Sequence, residues 1–196
     1  MDAEPSTVDS VEITQFRKSL KDGFAAQARR IEENFRSLTR EQLDWRADEK
    51  TWSIGQVLHH IWLTNDKYLT NLSTPIREAR HKQKSEQDYA SSWMGSRFIE
   101  MVGPTGGQNT PVPKVLQPPY GRTPEDIVQR LLDQLEGIQE FLIESERVDL
   151  RKTKMASPIA KVLKLPLGDV FLALHGHNER HLNQATKMMR MSGAMG

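Results

Sequence analysis

The chain of 196 residues contains no cysteine. This absence excludes disulfides, thiolate zinc sites, cysteine nucleophiles and iron–sulfur clusters as contributions of the chain itself. A metal ion would have to be bound through nitrogen or oxygen, so the six histidines become the residues of interest.

The chain also lacks an excess of charge and a long hydrophobic run. Its 27 Lys and Arg residues against 26 Asp and Glu residues leave a net charge of +1, so we expect no nucleic-acid partner. The longest apolar run, from Val170 to Leu174, is far shorter than the ~20 residues that span a bilayer. The polar N-terminus shows no secretory signal. We therefore expect a cytoplasmic protein without membrane association.

Convincing strand-like alternation is missing, whereas apolar residues recur every three or four positions in four segments. These segments predict helices over 11–38, from Ser53 to Pro75, from Thr123 to Leu142, and from Pro166 to about Arg190. The sequence thus predicts an all-α four-helix bundle. We expect one domain over 11–191, with flexible tails over 1–10 and 192–196.

Capping residues mark where helices begin. Thr39 with Gln42, and Ser53 with Gln56, form the capping-box pattern ahead of a short helical turn and of the second long helix. Thr123 suits the N-cap of the third long helix, with Pro124 at its first position.

The region between the second and third long helices has weaker patterns. Residues 76–87 are a charged run expected to extend the second helix, and 91–101 fit a further short helix. Residues 103–119 are rich in glycine and proline and predict a loop that serves as a lid or a crossover.

The fourth helix carries polar residues where its apolar stripe should continue. The stripe runs through Val170, Leu174, His177, His181, Gln184 and Met188. Two histidines four residues apart lie on one helix face about 6 Å apart, close enough to bind one metal ion. The alternative is that they are ordinary hydrogen-bonded core histidines.

The second helix offers a third histidine. With Ile61 at the centre of its apolar stripe, His60 lies about 100° to one side, and His59 lies about 160° away, on the outer face. His60 is therefore expected to face the core obliquely and His59 to face solvent. His175 is expected at a core edge, and His81 in a charged surface run.

Two motifs give the chain a family resemblance. Trp52-Ser53 is followed after six residues by His60, and His177 and His181 are followed by Gln184. Together with the stretch from Leu38 to Arg46, these motifs resemble the DinB/YfiT-like superfamily over about residues 13–190. The resemblance implies a bundle with up-down-down-up connectivity and a long crossover between its second and third helices.

The resemblance also implies a divalent metal, zinc or nickel, held by His60, His177 and His181. Relatives include hydrolase-like proteins and enzymes that use low-molecular-weight thiols, so the expected function is hydrolysis or S-transfer on a small molecule. Three histidines leave open positions on an ion, where water or a thiol can be deprotonated. The alternative is a non-catalytic metal-binding module with a structural metal.

Other residues are candidates for supporting roles, and the reacting residues themselves remain unknown. Gln184 and Asp66 are candidates for positioning a ligand or the substrate, whereas Glu179 lies about 160–200° from the face of His177 and His181. Methionines near the end of the fourth helix suggest a possible homodimer surface.

Overall fold

A computed structural model describes residues 10–80, 88–106, 111–121, 123–160 and 162–193. Within these residues there are four long helices and two short ones. In chain order they are α1 (Ile13–Phe35), α2 (Arg40–Asp44), α3 (Ile54–Ala79), α4 (Trp93–Val102), α5 (Ile127–Glu144) and α6 (Leu167–Met191). The four long helices form the bundle, in the order α1, α5, α3, α6 around its axis.

The direction of each long helix follows from its contacts with its neighbours. Arg17, near the start of α1, donates to Ser145 just beyond the end of α5, so these two helices are antiparallel. Gln134 of α5 donates to the Trp62 carbonyl of α3, and Thr123, just before α5, packs against Gly55 at the start of α3, so these two helices run in the same direction.

Helix α6 runs with α1, because Gly23 faces His175 and Arg30 donates to Thr186 further along both helices. If the direction of α1 is taken as up, the long helices α1, α3, α5 and α6 run up, down, down and up. This confirms the expected bundle and its long crossover, which extends from α3 to α5 and contains α4.

The predicted capping boxes are present. Ser53 Oγ accepts from the Gln56 backbone while the Gln56 side chain accepts from the Ser53 backbone, and Thr39 with Gln42 does the same for α2. These bonds satisfy amide groups that the first turn of a helix leaves without partners. The start of α3, and with it the position of His60, is thus determined locally.

The bundle core is aliphatic and aromatic. Its largest fully buried side chains include three phenylalanines, and six of the core residues are Phe24, Phe35, Phe171, Ile61, Leu131 and Leu135. Met188 and Met189 are buried in the same core, so they are not part of an exposed methionine surface.

The structure corrects the predicted start of the third long helix. Helix α5 begins at Ile127 after Asp126, and Thr123 is instead buried against Gly55 of α3. Helix α3 continues through Pro75 to Ala79, which confirms the first part of the extension expected over 76–87, although proline removes one hydrogen bond from a helix. Residues 81–87 of the predicted extension, including His81, lie outside the described residues.

Two short antiparallel sheets were not predicted. Strand β1 (Val11–Glu12) pairs with β2 (Asp88–Tyr89), and β3 (Lys154–Ala156) pairs with β4 (Lys164–Pro166). Strands of two or three residues are too short to show an alternating pattern in the sequence. Most of each predicted tail, 1–9 and 194–196, lies outside the described residues.

A buried carboxylate fastens α4 to the first turn of α6. Asp169 is fully buried and accepts hydrogen bonds from the Tyr89 hydroxyl, the Ser92 hydroxyl and the Ser92 backbone. Gly95 packs against the Asp169 carboxylate where any larger residue would carry a Cβ. These contacts fix one end of α4 against the helix that carries His177 and His181.

None of the helices in the described part of the chain combines the length and the apolar character needed to cross a membrane.

We predict that Gly95→Ala lowers the free energy of unfolding by about 1–3 kcal/mol, because the added methyl group overlaps the buried Asp169 carboxylate. The matched control is Gly137→Ala in α5, where no atom lies within 4 Å of the added Cβ. That variant should gain about 0.5–1 kcal/mol from helix propensity. Denaturant unfolding measures both, and equal effects of the two substitutions would contradict the packing argument.

Candidate metal centre

His177 and His181 lie one turn apart on α6 and face α3. Their ring centroids are 4.5 Å apart. His60 of α3 approaches both, with centroids 5.0 Å from His177 and 4.6 Å from His181. Each of the three histidines offers a ring nitrogen, and these nitrogens all lie within 4.8 Å of one another. The fold thus brings together the three histidines singled out from the sequence.

Hydrogen bonds determine which nitrogen of two of these rings carries the proton. His60 Nδ1 lies 2.8 Å from the Leu116 carbonyl, and His181 Nδ1 lies 2.9 Å from Gln184 Oε1. Both oxygens only accept, so each Nδ1 donates and each Nε2 keeps a lone pair. In metal sites, histidine ligands are held by partners of this kind.

The spacing of the nitrogens suits a metal ion. His60 Nε2 and His177 Nε2 are 3.2 Å apart. Two nitrogens each ~2.05 Å from a tetrahedral ion would be ~3.3 Å apart. His177 Nδ1, the nitrogen of this ring that an ion at Nε2 would not contact, is buried without a hydrogen-bond partner in the described part of the chain. The residues present therefore fit a divalent ion that prefers imidazole ligands, such as zinc or nickel.

Burial keeps the three imidazoles neutral. Desolvation lowers the pKa of His60 and places that of His177 well below its ordinary value. The pKa of His181 falls to about 3, chiefly through burial and then through the charge of His60. Neutral imidazoles can act as ligands without first losing a proton.

The histidines lie in the wall of a cavity of about 700 Å³. Trp52 packs against His60 with ring centroids 5.0 Å apart, and α4 closes part of the opposite side. The apolar part of the lining includes Tyr68, Phe98, Val102, Leu116, Ile159 and Leu174. A cavity of this size accommodates a small organic molecule next to the ring nitrogens.

The two residues predicted to support the site differ in position. Gln184 lines the cavity and holds His181, as its spacing in α6 suggested. Asp66 is not among the described residues that line the cavity. Glu179 points away from the histidines, because it accepts from Gln27 and pairs with Arg30 of α1.

The remaining described histidines lie outside the cluster. His175 packs edge-on against Phe24, at the core edge where its helix position placed it. His59 was expected to face solvent, and this prediction was wrong, since only 8% of it is exposed. Its ring packs near Trp62, and Trp62 also lies under Arg130 of α5. Helix α5 therefore covers a face of α3 that a helical wheel of α3 alone would show as exposed.

Three features of the site were missed from the sequence. The Leu116 carbonyl is a backbone acceptor supplied by the crossover, and no side-chain pattern reveals it. Arg180 and Lys187 also line the cavity. They lie three residues after His177 and Gln184, so the helix period could have placed both beside the stripe.

Comparisons with known proteins identify a family and a similar fold. The family model of the DinB superfamily matches residues 24–185. A solved structure, YfiT from Bacillus subtilis, is described as a probable metal-dependent hydrolase with an unusual four-helix bundle topology. It matches 98% of this chain and 94% of its own chain with a TM-score of 0.58 and 13% sequence identity. Comparison with curated protein sequences finds no significant match.

We predict that the protein binds about one divalent ion per chain and that His177→Ala and His181→Ala each abolish stoichiometric binding, because two ligands hold an ion poorly at this site. His175→Gln, on the same helix but outside the cluster, is the matched control and should bind as the wild type does. Elemental analysis after dialysis against zinc or nickel measures the ratio. Equal metal content in all four proteins would place the ion elsewhere.

We predict that Gln184→Leu weakens metal binding about 10- to 100-fold while leaving the fold intact, because His181 loses the acceptor that fixes its orientation. Asp66→Asn should leave the affinity unchanged. Competition with a chromogenic chelator gives the dissociation constants. An equal loss in both variants, or a loss with Asp66→Asn alone, would contradict the geometry.

Proposed function

The chain belongs to the DinB superfamily, and from this premise we propose that it is a metal-dependent enzyme acting on a small organic molecule. The proposed metal ligands are His60, His177 and His181. The observation that carries the proposal is that their nitrogens converge in the wall of a cavity large enough for a substrate.

The donor set supports a catalytic rather than a structural ion. Structural zinc sites have four protein ligands, whereas catalytic sites have three and keep a position for water or substrate. Among the described residues, no further histidine or carboxylate belongs to the cluster. When bound, such an ion supplies a nucleophile at neutral pH by lowering the pKa of a water or thiol.

The residues around the histidines orient them and limit access of water. The Leu116 carbonyl and Gln184 hold the rings of His60 and His181 with their lone pairs directed inward. Trp52 covers His60, and the apolar wall from α4 and the crossover restricts solvent on the facing side. The chain thus prepares a rigid nucleophile site beside an apolar substrate region.

The lining favours a thiol as the nucleophile. No aspartate or glutamate occurs among the described lining residues, so none of them supplies a carboxylate general base. On a zinc ion a coordinated thiol is deprotonated outright, whereas coordinated water keeps a pKa of about 7, so the thiol depends less on a general base. Because the chain has no cysteine, the sulfur would arrive as a low-molecular-weight cosubstrate, and the reaction would be S-transfer to an electrophile.

Hydrolysis is the second candidate, favoured by the structural similarity to YfiT, a probable metal-dependent hydrolase. The two reactions differ in whether an added thiol is consumed. Small-molecule electrophiles are the expected substrates for both.

The test is turnover of model electrophiles by the zinc- or nickel-loaded protein. We predict that turnover of an aryl halide requires bacillithiol, mycothiol or glutathione, and that His177→Ala lowers kcat/KM at least about 100-fold because the metal is lost. His175→Gln should retain the wild-type rate. Absorbance of the thioether product measures S-transfer, and a panel of activated esters without thiol measures hydrolysis.

The outcomes separate the candidate functions. Ester turnover without thiol would replace S-transfer by hydrolysis. Tight metal binding with neither activity, together with a lower Tm after chelation, would favour a structural metal in a non-catalytic module.

A further inference from the structure

The cavity wall has an unbalanced charge. Helix α6 contributes Arg180 and Lys187 to the lining, and no acidic residue occurs among the described residues around the cavity. In sequence, the stretch from Pro104 to Pro113 in the crossover also contains no aspartate or glutamate. Lys187 therefore has no anionic counterpart in the described lining.

The acidic residues of α6 are engaged elsewhere. Glu179 faces α1, where it accepts from Gln27 at 3.0 Å and pairs with Arg30 at 3.4 Å. Asp169 is buried in the first turn of α6, where it accepts hydrogen bonds from Tyr89 and Ser92. Neither carboxylate is available to offset a charge within the cavity.

The histidines add no negative charge either. A divalent ion held only by neutral imidazoles keeps its full charge of +2. Arg180 lines the same cavity as the three histidines. A site with this charge, partly shielded from water, attracts an anion strongly.

The two cations have different freedom to contact a ligand. Arg180 already donates to the Met101 carbonyl at the end of α4, which holds it near the histidines. Lys187 is exposed, lines the cavity and makes no ion pair with the described residues. It lies six residues after His181, about 9 Å along the helix axis.

The part of the lining contributed by α4 and the crossover is apolar. Phe98 and Val102 of α4, with Leu116 and Ile159, face the cavity without presenting a charged group. A ligand that satisfies both walls has an apolar body and an anionic end.

We propose, building on the proposed function, that the cavity selects a small organic molecule with an oxyanionic group, and that Lys187 binds this group. The group is a carboxylate or a phosphate ester, since an ammonium pairs with either. The apolar body lies against α4, and the reacting atom lies next to the histidines.

Binding of matched probes tests this proposal. The probes are 4-phenylbutyrate, its neutral amide, and the phosphonate of the same length, measured by ligand-observed NMR. We expect each anion to bind about tenfold more tightly than the amide. Lys187→Gln should weaken anion binding about 3- to 5-fold, as expected for a partly exposed ion pair, and leave amide binding unchanged.

Two control variants isolate the charge at this position. Lys187→Arg keeps the charge and should retain anion binding. Arg190→Gln removes an exposed charge from the same helix at a position outside the described lining and should have no effect. Because Lys187 is exposed, its substitution should leave the fold intact, which a thermal melt verifies.

Each titration is run on metal-loaded and on metal-free protein, which separates this proposal from the proposed function. The Lys187 effect should persist without metal, even if no enzymatic activity is found. Three results would overturn the proposal that Lys187 binds an oxyanion. They are equal binding of anion and amide, an anion preference that Lys187→Gln does not change, and no binding of either anion at about 10 mM. The ratio between carboxylate and phosphonate affinities identifies the preferred oxyanion.

Discussion

The functional site depends on keeping three imidazoles neutral inside an apolar helix bundle. Burial disfavours their charged forms, and each neutral ring then presents one donor and one acceptor that need partners. The Leu116 carbonyl accepts from His60 Nδ1, and Gln184 Oε1 accepts from His181 Nδ1. The Nε2 atoms of these two rings then keep their lone pairs for a ligand within the histidine cluster. Such an arrangement is costly when the inward nitrogens stay unpaired, and an ion that binds all three would relieve that cost. Metal binding and the stability of this part of the core are therefore coupled.

The bundle topology makes this convergence possible. Because α3 and α6 are adjacent and antiparallel, His60 meets the turn of α6 that carries His177 and His181. The capping box at Ser53 sets the phase of α3, so a shift of one residue there would turn His60 by about 100° away from the other rings. The hydrogen bonds of Asp169 place α4 against the same helix, so one helix positions both the ligands and the facing cavity wall.

The features that could be predicted from the sequence are those determined by interactions between residues close together in the chain. The four long helices, the capping residues Ser53 and Thr39, and the inward orientation of His60 follow from helix period and hydrogen bonding within a few residues. The bundle's connectivity was implied by family resemblance and then matched by the contacts between helices. The Leu116 acceptor, the attachment of α4 to Asp169 and the burial of His59 all depend on segments distant in sequence. No pattern within one helix carries that information.

The separation of roles along α6 has a consequence for how specificity can change. The rings of His60 and His181 are held by a backbone carbonyl and by a neighbouring glutamine, so the metal geometry does not depend on Lys187 or on the side chains of α4. Substitutions at Lys187, Phe98 or Val102 therefore alter the charge and shape presented to a ligand without disturbing the ligands of the ion. Arg180 is different, because it lines the same cavity as the histidines and also donates to α4, so its loss would affect both the charge and the shape of the cavity wall. This division of roles allows the substrate preference to change while the metal site is preserved.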